Sequence, residues 1–334
     1  MKNKTNKNII LIADRIHDFS NTDINSTNLE CVEDSYFYAV YEALSKISEH
    51  VIHYNTPKVF LDNISKHSND IVLTIWSGEA SRNRKAIVPS ICEAYNIPYV
   101  GADACLQIIA QDKHLCKHLY QKFNINCPKS ILITTPRDYE LLKFIKYPVV
   151  IKPNMEGGSI GIFNENLVYD SFAAVNICEK LIKKFCPLIA EEYIEGQEVS
   201  VCIAGVNNDI DIFEAIELSI NGNNYFTNEL FGAETKKIDP SNRQRRSITP
   251  AFPANERMKL LSFYKELGKA EVLRMDGRLN NNRFFMIELT PDCCLSSQSS
   301  MSIAFKTNGY TYEQMFRILL NNCIKAWEDQ NANK

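Results

Sequence analysis

The chain has 334 residues, of which 45% are hydrophobic and 23% charged, and its formal net charge is −3. This composition is typical of a soluble globular protein with two or three domains, and the small net charge offers no basic field for nucleic acid. No apolar run reaches the length of a membrane span. The eleven cysteines are scattered and form no Cys-x-x-Cys pair, which favours a reducing cytosol. We therefore expect a cytoplasmic protein.

Residues 1–101 alternate short apolar strands with helical stretches. The first residues are basic, but the apolar run Ile9–Ala13 is too short for the core of a signal peptide and predicts a first strand. The segment "VEDSYFYAVYEALSKI" has helical spacing, and "HVIHY", "DIVLTIW" and "IPYV" predict further strands. This alternation predicts a domain with an open parallel α/β sheet.

Residues 102–190 and 191–334 form two further regions, so that three domains are expected. The second region opens with the helix "AQDKHLCKHLYQKF", continues through the strands "SILITT" and "YPVVIK", and closes on the helix "SFAAVNICEKLIKKF". The third contains a helix, a two-stranded unit and a last helix near residues 311–327. Its segment Asp239–Pro250, rich in Pro, Ser, Asn and Arg, is predicted to be an exposed loop.

A glycine-rich turn in the second region is the most informative segment of the chain. Within Val149–Ile162, an apolar strand leads to Lys152, the turn follows, and a second apolar run predicts another strand. The turn contains Glu156, Gly157, Gly158 and Ser159. Glycine lets backbone N–H groups approach an anion, and a lysine adds positive charge, so the pattern suits the phosphates of a nucleotide. An ordinary hairpin, in which the aliphatic part of the Lys152 side chain is buried, explains the same residues equally well.

Two short strands late in the chain carry charged residues. Arg274, Asp276 and Arg278 share one face of "LRMDGRL", and Glu288 and Thr290 share one face of "FFMIELT". The other face of the second strand carries Phe285, Ile287 and Leu289. If the strands form a hairpin, Asp276 lies opposite Glu288, and the carboxylates repel each other unless a cation such as Mg²⁺ lies between them. From these residues alone, a solvated hairpin neutralised by its arginines is the more frequent explanation.

The order of three segments resembles the ATP-grasp superfamily, and within it the branch of the D-alanine–D-alanine ligases. The segments are "IKPNMEGGSIGI", "IAEEYIEGQEVSV" and "LRMDGRL…FFMIELTPD", and the ending "SSMSIAFKTNGYTYEQMFRILL" is similar to the closing helices of that branch. The resemblance covers most of the chain. It implies an α/β (α+β) ATP-grasp fold of three domains, with the nucleotide between the central and C-terminal domains. It also implies an ATP-dependent carboxylate–amine ligase that forms an acyl phosphate, with ATP and Mg²⁺ as cofactors.

The resemblance implies roles for individual residues in nucleotide binding. Lys113, Lys152 and the glycine-rich loop Glu156–Ser159 correspond to groups that hold the phosphates, although a lone helix lysine such as Lys113 is more often exposed. Glu191, Tyr193 and Ile194 correspond to the hinge that binds adenine, and Glu198 corresponds to the carboxylate that binds the ribose hydroxyls.

The resemblance also implies roles in catalysis. Arg274 and Lys152 correspond to catalytic cations, Arg274 being the one that stabilises the anionic transition state. Asp276 and Glu288 correspond to metal carboxylates, and Thr290 stands where the family has asparagine, which predicts weaker binding of a second metal ion. Asp292 is a candidate to compensate.

The chain departs from the family in the half that binds the substrates. The Gly-Gly-x-Ser-x-Glu segment after the first strand is missing, and nothing selects among the candidates to replace its glutamate. These candidates are Asp18, Glu30 and Glu33. Gly158 replaces the loop serine, and Glu229-Leu230 stands near the usual Lys-Tyr. The loop beyond is longer and carries Arg243, Arg245 and Arg246.

Two alternatives to a ligase of other specificity therefore stay open. One is a D-alanine–D-alanine ligase proper, and the other is a nucleotide-binding protein that has lost ligation. The partners we expect are a small-molecule carboxylate and an amine, such as amino acids or a small peptide. We expect no nucleic acid and no membrane, and the sequence allows a homodimer.

Overall fold

The computed structural model describes residues 7–15, 32–78, 81–232 and 238–332. A three-stranded parallel sheet in the order β2-β1-β3 forms its N-terminal part. The strands are β1 (Ile9–Ile12), β2 (Val51–Tyr54) and β3 (Ile71–Thr74). Helices on both faces bury β1 completely, which explains its uninterrupted apolar sequence. These helices include α1 (Asp34–Ser45), α2 (Pro57–Asp62) and α3 (Ile87–Ala94). The parallel sheet confirms the prediction, but "IPYV" contributes a single bridge, between Tyr99 and Val72, rather than a strand.

The predicted helix at residues 110–123 is two helices, α4 (Ala104–Gln111) and α5 (Lys113–Lys122). Asp112 separates them, because its extended backbone ends α4 while its carboxylate accepts a hydrogen bond from the backbone N–H of Leu115 and caps α5. This break places Lys113 at the first position of a helix.

A four-stranded antiparallel sheet in the order β4-β7-β5-β6 follows, with α6 (Ser171–Leu181) packed on it. Its strands are β4 (Ser130–Ile133), β5 (Val149–Pro153), β6 (Leu167–Val168) and β7 (Leu188–Glu192). The prediction of a strand directly after the glycine-rich turn is wrong. Gly158, Ser159 and Gly161 have positive φ angles and keep the chain turning, so the partner of β5 begins only at Leu167.

The largest sheet has the order β11-β9-β8-β12-β13, with β10 paired to β8. Its strands are β8 (Gly196–Val206), β9 (Asp209–Ile220), β10 (Tyr225–Phe226), β11 (Arg243–Ser247), β12 (Val272–Asn280) and β13 (Arg283–Thr290). The prediction of an exposed loop at Asp239–Pro250 is wrong in its centre, because β11 pairs antiparallel with β9.

Helices cover both faces of this sheet. One face packs against α4, α5 and α7 (Ala254–Lys265). The other packs against the first sheet, α8 (Ser300–Thr307) and α9 (Tyr312–Ala332). None of the helices in the described part of the chain is long and apolar enough to cross a membrane.

The domain limits 1–101, 102–190 and 191–334 stay a prediction. The limit at 190/191 falls inside β7, and α4 and α5 of the second region share a hydrophobic core with the large sheet.

Candidate active site

The hairpin of β12 and β13 places Asp276 directly opposite Glu288, as the sequence predicts. Between Asp276 and Gly277 the register shifts, and Ile287 becomes an extra residue on β13. The predicted alternation along this strand is therefore wrong: Leu289 lies in the core with Met286, whereas Ile287 is only half-buried. Asp276 and Glu288 stay on one face of the hairpin. Because of the extra residue, Met286 and the residues of β13 before it point to the face opposite to the one that simple alternation predicts.

Asp276 is fully hydrogen-bonded within the hairpin and its neighbour strand. Arg274 donates from Nε to both carboxylate oxygens, at 2.8 and 2.9 Å. The hydroxyls of Ser200 and Thr290 donate to the same carboxylate at 2.7 and 3.1 Å. Burial alone lowers the pKa of Arg274, but Asp276 raises it above its ordinary value. The two residues therefore form a charged pair, and Thr290 supports it.

Lys113 connects the glycine-rich turn to the hairpin. Its Nζ lies 2.9 Å from Oε1 of Glu288 and donates to the backbone oxygen of Glu156 at 2.5 Å. The residue is only 5% exposed, so Lys113 is not a solvated helix lysine. One cation thus holds the loop and β13 together.

A buried cluster of Lys117, Lys152 and Glu191 lies behind the turn. Nζ of Lys152 is 2.5 Å from Oε2 of Glu191, and Lys117 forms an ion pair with the other oxygen. Burial lowers the pKa of Lys152. Burial alone raises the pKa of Glu191, but the two lysines overcome this and lower it to about 2. The side chain of Glu191 is therefore ionised and paired with two lysines.

Two backbone N–H groups of the hinge after β7 are engaged within the protein. The N–H groups of Glu192 and Tyr193 donate to the carbonyls of Lys129 and Pro148, each at 2.9 Å. The N–H groups of Ile194 and Glu195 make no hydrogen bond within the described residues, and a backbone donor of this kind suits the edge of a nucleotide base.

The expected ribose carboxylate is already paired. Oε2 of Glu198 lies 2.5 Å from Nε of Arg278, whose guanidinium stacks near the rings of Tyr193 and Phe226 at 5.6 and 5.0 Å from their centres. Burial raises the pKa of Glu198, and Arg278 opposes that shift. A cavity of about 440 Å³ is lined by Glu198, Arg278 and Phe231 among others. The pair with Arg278 engages one of the two carboxylate oxygens of Glu198.

The glycine-rich turn is tied down on two sides. Ser159 donates from its hydroxyl to the carbonyl of Phe231 at 3.2 Å. The carboxylate of Glu156 lies 3.1 Å from a guanidinium nitrogen of Arg84, in the N-terminal part. The carboxylate of Glu156 thus contacts the N-terminal part, while its backbone oxygen accepts a hydrogen bond from Lys113.

Several residues at the site were missed by sequence reasoning. Arg84 and Lys85 reach the site from the segment before α3, and Lys85 pairs with Asp292 at 2.8 Å. The basic run "RNRK" was the available signal. Lys117 had a clearer one, because it follows Lys113 by four residues and shares its helix face. Asp292, the candidate to compensate for Thr290, is thus engaged by Lys85.

Of the three candidates to replace the family's missing glutamate, Glu33 is exposed at the start of α1, and Asp18 and Glu30 lie outside the described residues. The rings of His114 and His118 pack edge to face. Cys293 is buried, and burial raises its pKa to about 12, as suits a packing residue.

Asp276 and Glu288 fit a magnesium ion that is bound together with a nucleotide. Within the described residues, no group of three or more His, Cys, Asp and Glu is arranged for a metal. Mg²⁺ bound with a nucleotide, however, needs only one or two protein carboxylates and takes phosphate and water oxygens as its other ligands. Two carboxylates facing each other across a hairpin meet that requirement.

The fold and this site define an ATP-grasp enzyme, a ligase that joins a carboxylate to an amine. The sequence profile described as "D-ala D-ala ligase C-terminus" matches residues 122–321, more than half of the chain. The chain belongs to this family.

Relatives and solved structures agree with this assignment. The D-alanine–D-alanine ligase of Thermotoga petrophila is 25% identical over 86% of this chain and 91% of its own length. The structure of D-alanine–D-alanine ligase from Bacillus anthracis complexed with ATP shares 16% identity, with a TM-score of 0.73 over 98% of this chain and all of that one. The VanG D-Ala:D-Ser ligase from Enterococcus faecalis gives 20% identity and a TM-score of 0.68, over 97% of this chain and all of that one. The structural matches confirm the ATP-grasp fold.

Proposed function

We propose that the protein uses ATP to phosphorylate the carboxylate of an amino acid or small peptide and then joins it to an amine. A carboxylate oxygen attacks the terminal phosphorus of ATP, and ADP leaves. The amine nitrogen then attacks the carbonyl carbon of the acyl phosphate, phosphate leaves with the bonding pair, and the nitrogen loses a proton. The observation that carries this proposal is the position of Lys113 between the glycine-rich turn and Glu288.

Phosphoryl transfer depends mainly on positioning and on charge stabilisation. Lys113 and Lys152 are proposed to neutralise the phosphates under the turn, and Arg274 to stabilise the negative charge that develops on the transferred group. Ile194 is proposed to meet adenine through its N–H, and Glu198 to hold the ribose hydroxyls. Asp276 and Glu288 would hold Mg²⁺, with Thr290 beside them, and the ion supplies charge neutralisation at the phosphate oxygens.

The relatives favour amino acids as substrates. Their names specify D-alanine or D-serine, so a D-alanine–D-alanine ligase proper is the second candidate. Gly158 argues against it, because it cannot supply the hydroxyl of the usual loop serine. The replacement of asparagine by Thr290 motivates the third candidate, loss of ligation. The cytoplasm, where ATP and free amino acids meet, is the proposed location, and a homodimer is compatible with the proposal.

An assay of ADP release with Mg²⁺, ATP and a panel of D- and L-amino acids and dipeptides tests the proposal. We expect stimulation by particular pairs and, by mass spectrometry, a product joined through an amide. The Arg274→Gln variant serves as the catalytic control. Binding of ATP without any substrate-stimulated turnover would support the protein that has lost ligation. Efficient synthesis of D-alanyl-D-alanine would favour the second candidate.

A further inference from the structure

The edge strand β11 places two of its arginines on the catalytic face of the large sheet. Arg245 lies opposite Leu218, and Leu218 lies opposite Glu198 on β8. Glu198 in turn lies opposite Arg278 on β12. Residues directly opposite each other point to the same face, so Arg245 shares the face of the catalytic hairpin. Arg243, two residues earlier, does so as well.

Arg246 lies on the other face and has a different environment. Its Nε pairs with the buried carboxylate of Glu217 at 2.8 Å, while 70% of its side chain is exposed. The three arginines that sequence reasoning grouped together therefore separate into an inward pair and an outward residue. Arg246 is an internal control for the inward pair.

The inward arginines are partly buried and form no ion pair in the described part of the chain, although the exposed Asp239 attracts Arg243 electrostatically. Arg245 donates to the backbone oxygen of Gln298 at 3.3 Å, and the buried Nε of Arg243 has no hydrogen-bond partner there. Burial lowers the pKa of Arg245; Arg243 and Arg274 lower it further, while Cys294 and Asp276 oppose them. Arg245 is thus within electrostatic reach of the Arg274–Asp276 pair, and the surplus positive charge lies beside the catalytic centre.

We propose that Arg243 and Arg245 bind a side-chain carboxylate of one substrate, so that the ligase selects an acidic amino acid or a peptide with an acidic residue. This inference rests on the proposed function. Guanidinium groups bind carboxylates through two parallel hydrogen bonds. A bound carboxylate would also lower the free energy of two neighbouring, partly buried cations that form no ion pair within the described residues.

Charged residues on an edge strand can also serve only to prevent pairing with another chain. That explanation suits Arg246, which is exposed. It predicts that loss of Arg243 or Arg245 changes aggregation and leaves substrate preference unaltered.

Steady-state kinetics separate the two explanations. With the wild type, kcat/KM for glutamate or aspartate in one substrate position should exceed that for alanine, with both enantiomers and a glutamyl dipeptide tested. Arg245→Gln and Arg243→Gln should each lower kcat/KM for the acidic substrate about 10- to 100-fold and leave alanine nearly unchanged, since each removes a charged hydrogen bond. Arg246→Gln, the matched control, should leave the ratio unchanged. Arg245→Glu should shift preference towards lysine.

Calorimetry makes the test independent of turnover. Glutamate and alanine are titrated into the wild type and the Arg243→Gln/Arg245→Gln double variant, with a non-hydrolysable ATP analogue and Mg²⁺ present, after thermal melting has verified the fold. The inference is supported if glutamate binds the wild type more tightly than alanine does and this preference is lost in the double variant. It is supported even if no substrate pair turns over, because the absence of turnover contradicts only the proposed function. The inference is overturned if glutamate and alanine bind the wild type equally, or if the preference for glutamate survives in the double variant. The proposed function still stands in that case if the enzyme ligates neutral substrates.

Discussion

The nucleotide half and the substrate half of the catalytic face balance their charges differently. In the nucleotide half, Lys113, Lys117 and Lys152 each lie within 3 Å of a carboxylate. In the substrate half, Arg243 and Arg245 form no ion pair within the described residues. The positive charges of the first half are thus balanced by neighbouring carboxylates, whereas those of the second half are available for a negatively charged group of a ligand. Most departures from the family pattern also fall in the second half, and Thr290, beside Asp276, is the exception.

The largest expected effect comes from the nucleotide half. Glu288→Gln should lower turnover about 100-fold or more, because a neutral amide neither balances Lys113 nor holds Mg²⁺. The measurement is ADP release under saturating substrates, with the melting temperature as a check on folding. Glu165→Gln is a control, since Glu165 forms an exposed ion pair with Lys180 at 3.5 Å. Wild-type turnover in Glu288→Gln would remove this residue from the metal site.

Lys152→Ala tests whether the buried lysine also serves the nucleotide. We expect ATP affinity to fall at least about tenfold, the effect of losing one charged hydrogen bond. Lys117 still partners Glu191, so the fold should persist at reduced stability. Calorimetric titration of ATP into the wild type, Lys152→Ala and the exposed control Lys180→Ala gives the comparison. If ATP binds all three equally, the cluster around Glu191 is only structural.

The same cluster predicts the dependence of stability on pH. Lys117 and Lys152 lower the pKa of Glu191 from 4.5 to about 2 in the folded protein. The ionised form is therefore favoured by folding, and its contribution to stability is complete above pH 4.5 and is lost as the pH falls towards 2. Urea unfolding from about pH 6 to about pH 3 should show a weaker dependence in Glu191→Gln than in the wild type. Parallel curves for the two proteins would contradict this.

A smaller effect is expected in the substrate half, at Gly158. Its φ of 60° disfavours any side chain, so serine and alanine there should lose similar stability, about 1–2 kcal/mol. Serine alone restores a hydroxyl. With D-alanine as both substrates, Gly158→Ser should turn over about 2- to 10-fold faster than Gly158→Ala, the effect of one hydrogen bond. Identical rates in the two variants would show that the missing hydroxyl does not set substrate choice.

The two halves also differ in how much of them the sequence predicts. The opposition of Asp276 and Glu288 follows from strand alternation and a short turn, which are local properties. The bulge at Ile287 follows from packing against the core and leaves no local signal. The strand β11 was missed because an edge strand with polar residues on both faces has no apolar alternation, and its pairing with β9 is a long-range contact. The burial of Lys113 was missed because its partners come from the turn and from β13.

The contact of Lys113 with Glu288 also bears on what a measured ATP affinity means. The ammonium of Lys113 already contacts Glu288 and the backbone oxygen of Glu156, so the observed free energy of phosphate binding is that of the new contacts less that of any of these contacts that weaken. Under the proposed function, Mg²⁺ held by Glu288 would reduce the attraction between Glu288 and Lys113 and leave more of the positive charge of the lysine to the phosphate. The proposal therefore predicts thermodynamic linkage between nucleotide and metal, with each binding more tightly when the other is present.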